Sequence, residues 1–67
     1  RGIGRDMTMA GCYMIANHGE KADAFIEKGR KEAPRWEADQ KLDRETNEPV
    51  QFKLLREFEV DWKNKGN

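Results

Sequence analysis

A single cysteine among 67 residues leaves no partner for an internal disulfide. Net charge is missing as well, since 13 lysines and arginines balance 13 aspartates and glutamates. That balance removes any general pull toward nucleic acid or an anionic membrane. Long apolar runs are absent. The longest uncharged stretch, Met7 to Gly19, is broken by Thr8, Gly11, Asn17 and His18, so it cannot supply the ~18 apolar residues of a membrane span. Leu, Ile, Val and Phe number only 11, or 16% of the chain. Ordinary globular domains carry more than roughly 20% of these residues.

What remains is a short, densely charged chain with room for one small domain. It has 17 large apolar side chains, three of them flexible methionines. Apolar burial contributes about 25 cal/mol per Å2, against roughly 1.5 kcal/mol of entropy lost per ordered residue. Six glycines raise that entropy loss further. The expectation is a chain without an independent globular core, which takes its missing burial from a partner or from a second copy of itself. The first residue is Arg1 instead of an initiating methionine. Processing of a longer product would account for this and gives a lean toward an organelle, the mitochondrion in particular.

The pattern along the chain is helical and contains no internal repeat. Residues 1–5, with Gly2 and Gly4, read as irregular. Asp6 is a candidate N-cap for a short helix over 6–18, with Met7, Ala10 and Met14 on one face and Tyr13 beside them. Gly19 suits the left-handed position that ends such a helix. Over 20–33, Ala22, Phe25, Ile26, Gly29 and Ala33 fall at offsets 0, 3, 4, 7 and 11, a single helical stripe. Acidic residues lead this segment and basic ones close it, as the helix dipole prefers. Pro34 then opens a third, mostly solvated helix over 34–45 that carries Trp36 and Leu42, and Thr46 to Pro49 form a break.

Residues 49–64 fit two periods. Of seven apolar residues, six (Val50, Phe52, Leu54, Phe58, Val60 and Trp62) occupy even positions, as in a half-buried strand. Five (Val50, Leu54, Leu55, Phe58 and Trp62) also share one helical face. The intervening Lys, Arg, Glu and Gln favour helix, and the chain offers no second strand for pairing. If residues 50–62 were a strand, they would have to add to another chain's sheet edge. The fold class expected is mostly α: three or four short amphipathic helices with irregular termini.

Candidate chemistry is sparse. Cys12 and His18 supply two soft ligands where zinc needs four, or three plus water. They read more simply as a small apolar residue and part of a helix stop. Gly2 and Gly4 lack both the third glycine and the preceding strand of a phosphate-binding loop. Glu57, Glu59 and Asp61 alternate with Phe58, Val60 and Trp62, the pattern of a solvated face. Lys28, Lys31 and Arg35 share a helical face that could contact phosphates. However, residues 20–48 carry seven positive and nine negative charges, which argues against a nucleic-acid footprint.

No catalytic, cofactor or metal site is assigned. The expectation is a small non-catalytic accessory subunit of a larger protein assembly, docked through Phe25, Ile26, Trp36, Phe58 and Trp62, because aromatic anchors dominate protein interfaces. The alternative is a helical nucleic-acid-binding regulator using Lys28, Lys31 and Arg35.

Overall fold

Residues 3–66 are described by the computed structural model. Helix α1 spans Ile3–His18, α2 Ala22–Glu32, α3 Pro34–Ala38 and α4 Val50–Asn64. The tail is therefore helix, and the intervening side chains outweigh the period-2 pattern. The first helix begins earlier than Asp6, which lies in its first turn. Ile3 to Arg5 are helical, with Gly4 set directly against the Gln51 side chain of α4. Arg1 and Gly2 lie outside the described residues. At the other end Gly19 takes φ +66°, and the Glu20 N–H turns back to the Met14 carbonyl at 3.2 Å. That is the stop the sequence indicates.

α2 buries the stripe read from its spacing: Ala22, Phe25, Ile26 and Gly29. Its N-cap, Lys21, offers no side-chain acceptor. Glu59 of α4 takes that role, accepting the Ala22 N–H at 3.0 Å, while Lys63 pairs with the same carboxylate at 3.0 Å. The Ala22 hydrogen bond leads in pulling the Glu59 pKa below the ordinary carboxylate value; burial opposes it, and Lys63 adds to the lowering. Replacing Glu59 by alanine leaves an orphan donor at the start of α2. By analogy with ordinary helix caps, the expected loss is about 1 kcal/mol, read as a lower midpoint in urea. Glu59→Gln, which keeps the acceptor oxygen, should recover much of it.

The third helix is shorter than its charge pattern predicts. It ends at Ala38, and residues 39–49 form a loop closed by an antiparallel pairing of Leu42 with Pro49. Asp43 organises the turn within that loop. Its Oδ2 accepts the backbone N–H groups of Glu45 and Thr46 at 2.9 and 3.0 Å, an arrangement that competes with helix. Asn47 follows in the left-handed region at φ +62°. Lys53 of α4 donates to Asp43 Oδ1 at 3.1 Å and ties the loop down.

The Thr46 N–H, then Lys53, then the Glu45 N–H bring the Asp43 pKa down to about 2. An unfolded aspartate titrates near ~3.9, so protonation opposes the folded loop. The contribution is complete above the unfolded value and disappears as pH falls through about 2. A side-chain carboxyl NMR titration should find this midpoint. An Asp43→Asn variant should lack that transition and lose loop order at neutral pH.

Against the sequence expectation, the chain closes a core of its own. Ile15, Ala22, Phe25, Ile26, Trp36, Phe52 and Leu55 form one buried cluster, with Met7, Cys12, Met14, Ala33 and Phe58 packed around it. The Cα radius of gyration is 11.6 Å, close to the ~11 Å of a compact chain of this length and far from the ~25 Å of an unfolded one. Trp36 is the centre. Its ring meets Phe25 edge-on at 5.9 Å and Phe52 at 4.8 Å, a favoured geometry for aromatic pairs. Its Nε1–H donates to Gln51 Oε1 at 2.8 Å. The Thr8 hydroxyl lies 2.9 Å from both that oxygen and the Gly4 carbonyl, so its one proton serves either.

Two glycines make this density attainable with so few apolar side chains. A Cβ on Gly29 would stand 2.5 Å from Trp36 Cζ3, and one on Gly11 2.7 Å from Leu55 Cδ2. Bare backbone at these positions lets α2 receive the indole and lets α1 lie close to α4. α1 and α4 run in the same direction, Gly4 beside Gln51 and Gly11 beside Leu55. α2 runs opposite to α4, with Ala22 at Glu59 and Asp23 at Arg56.

Candidate interaction surfaces

Three of the five docking residues expected from the sequence are inside the molecule. Phe25 is 8% exposed, Ile26 2% and Trp36 0%, so the folded chain cannot offer them to a partner. Their aromatic and aliphatic area closes the chain's own core instead. Phe58 and Trp62 are half-buried and stacked, with ring centroids 6.0 Å apart and planes 20° apart. Phe58 also packs against the core.

The spare apolar surface lies largely on residues the sequence reading did not single out. Met9 and Tyr13 of α1 are 65% and 58% exposed, and Leu54 of α4 is 51% exposed. Met9 and Tyr13 stand one turn apart. Val50, Leu54, Phe58 and Trp62 repeat every four residues and form a stripe along α4. The signal was present in the spacing of α4. It became legible only once Phe52 and Leu55 were known to take the inner face.

The basic stripe is not continuous. α2 ends at Glu32, and Ala33, at φ −135° and ψ 78°, turns the chain, so Arg35 belongs to a different helix from Lys28 and Lys31. Lys28 faces Glu20 at 3.6 Å and Arg35 faces Asp39 at 4.0 Å, while Lys31 is exposed. Cys12 is half-buried, and burial raises its thiol pKa, which keeps it protonated and poorly nucleophilic at neutral pH. The exposed His18 ring stands edge-on to Tyr13 at 5.5 Å. Among the described residues, no three His, Cys, Asp or Glu side chains converge on a metal position. No described helix is long and apolar enough to cross a membrane.

On the opposite side, a cleft of about 500 Å3 opens between α2, α3, the end of the 39–49 loop and α4. Two arginines stand in its wall. Arg56 donates through Nε to Asp23 at 2.8 Å and through Nη1 to Glu48 at 2.7 Å. Arg30 donates through Nε to Glu37 at 3.0 Å and through Nη1 to Glu27 at 3.4 Å. The hydrogen bond that Arg56 donates to Asp23 leads the effects that hold Arg56 above its ordinary pKa. Ile26, Phe52 and Pro49 supply apolar lining.

Comparison of the chain with protein-family models, with characterised proteins and with solved structures finds no match. The α-helical fold and its surfaces are thus the whole basis for a functional reading.

Proposed function

We propose that this chain is a small non-catalytic accessory subunit that docks onto another protein of a larger assembly through the outer faces of α1 and α4. The observation that carries the reading is the exposure of Met9, Tyr13 and Leu54 around a core that is complete without them. Single exposed apolar residues are ordinary on any surface. Several on the outer sides of two helices offer the apolar anchors that helix-mediated interfaces use. Phe58 and Trp62 extend the α4 stripe with aromatic area, the kind that anchors interfaces.

The test is affinity capture from the native source with the unaltered chain and with a Met9→Glu/Leu54→Glu variant. Circular dichroism should be the same for both, because neither residue is in the core. A protein retained by the unaltered chain and lost with the variant supports the reading. Equal recovery by both, or no partner with either, overturns it.

A further inference from the structure

Helix α1 differs from the other long helices in the outer face it shows to solvent. From Met7 to Asn17 it carries no Asp, Glu, Lys or Arg, in a chain that is 39% charged. The exposed positions of that stretch are Met9, Ala10, Tyr13 and Asn17, whereas every exposed position of α2 except Ala24 is charged. A helix without a charged face is one that packs on more than one side. The inner side of α1 meets the core through Gly11 and Ile15, and the outer side is left open.

That outer side is complementary to itself. Asp6, Ala10, Tyr13 and Asn17 follow one another at spacings of four, three and four residues, within about 60° around the helix. The order of spacings reads the same in reverse. Two copies of α1 laid antiparallel about a two-fold axis therefore set Asp6 opposite Asn17 and Ala10 opposite Tyr13, each pair twice, as an isologous interface requires. The residue types suit the pairing. The Tyr13 ring has a methyl-sized neighbour to cover. The Asn17 amide gives one N–H to the Tyr13 carbonyl at 3.2 Å and has a second for the Asp6 carboxylate of the other copy. Antiparallel helix dipoles attract, and the two acidic starts stand about 16 Å apart along the axis. A parallel pair would set Asp6 against Asp6. A lipid surface fits less well, because helices that lie on membranes border their apolar face with several basic residues. Arg5 is the one Lys or Arg of α1, and Asp6 adjoins it.

We infer that the outer face of α1 pairs antiparallel with the same face of a second copy of this chain. The inference rests on the reading of α1 as a docking face and names what covers it, leaving Leu54 of α4 to the other protein of the assembly. A few side chains from each copy bury well under the ~1,200 Å2 of a standard interface. The pair is therefore weak, and the separated chains keep their own core.

The experiment is sedimentation equilibrium of the full chain from about 10 µM to about 1 mM, the span over which so small an interface dissociates. Isotope-filtered NMR on an equal mixture of labelled and unlabelled chain reads the register. A reversible monomer–dimer equilibrium is expected, with filtered contacts from the Tyr13 ring to the Ala10 methyl of the other copy. Tyr13→Glu changes an exposed position, so it should keep the helicity. It should raise the dissociation constant about tenfold, as loss of an aromatic anchor does. Leu54→Glu should leave that constant unchanged. A monomer at every concentration, a dimer indifferent to Tyr13→Glu, or filtered contacts that join other residues overturns the inference. A monomer that still captures a partner through Met9 and Leu54 would remove the self-pairing and leave the docking proposal standing. A dimer that captures no other protein would leave the pairing and remove that proposal.

Discussion

Trp36→Ala should leave most of the chain unfolded at room temperature. The indole is fully buried between Phe25 and Phe52, and truncating a buried tryptophan costs about 3–5 kcal/mol. A chain of this length has on the order of 3–10 kcal/mol of total stability, so the loss takes much or all of it. The polar end adds to the effect. Gln51 Oε1 would lose the 2.8 Å bond from Nε1 and keep only the shared Thr8 proton. Trp36→Phe separates the two contributions, because it retains much of the apolar area and removes the donor. Its loss should be smaller, about 1–3 kcal/mol. Urea unfolding followed by far-ultraviolet circular dichroism reads both. A Trp36→Ala chain with native helicity and an unchanged midpoint would place the centre of the core elsewhere.

The second large effect runs against helix propensity. Gly29 lies inside α2, where alanine is intrinsically better by about 1 kcal/mol. Gly29→Ala should nevertheless destabilise the chain by about 2 kcal/mol, because overpacking a rigid core costs roughly 1–3 kcal/mol and outweighs the propensity gain. The new methyl would meet Trp36 Cζ3 at 2.5 Å and Met7 Cε at 2.8 Å. The methionine can move. The indole is fixed by two rings and a hydrogen bond. In a Trp36→Phe background, which lacks the outer atoms of the indole, the same change should be tolerated better. The resulting coupling, favourable by about 1 kcal/mol in a double-mutant cycle, would be the signature of direct contact. Additive losses would mean that Gly29 acts through backbone flexibility alone.

These two residues also explain where sequence reading succeeded and where it stopped. The stripe Ala22, Phe25, Ile26, Gly29 was legible as a helix face because its period is local, and the structure buries all four. The stop at Gly19 was legible for the same reason. The worth of Gly29 was not. On composition alone a glycine enters as lost entropy, and its value as a notch depends on Trp36 arriving from the next helix.

The thin apolar inventory therefore suggested a chain without a core, with Phe25, Ile26 and Trp36 left over for a partner. Close backbone approach instead lets those side chains fill the interior themselves. The turn in the 39–49 loop was hidden similarly. Asp43 in a charged helical stretch looks like any solvated carboxylate until its two backbone hydrogen bonds and its tie to Lys53 are seen. The two carboxylate-held arginines of the cleft join residues three to 33 positions apart in sequence. No local pattern announces the longest of these pairings.

The central claim is that this small chain is held by its own glycine-notched core. The most direct test is thermal unfolding of the isolated chain across a dilution series, with far-ultraviolet helicity, tryptophan fluorescence (Trp36 and Trp62 together) and solution mass recorded on the same samples. The account predicts a cooperative transition with coincident helicity and fluorescence midpoints, and helicity at low temperature that persists when the protein is diluted to a monomer. Helicity that disappears on dilution would contradict it, because burial would then come from association and not from the packing around Trp36.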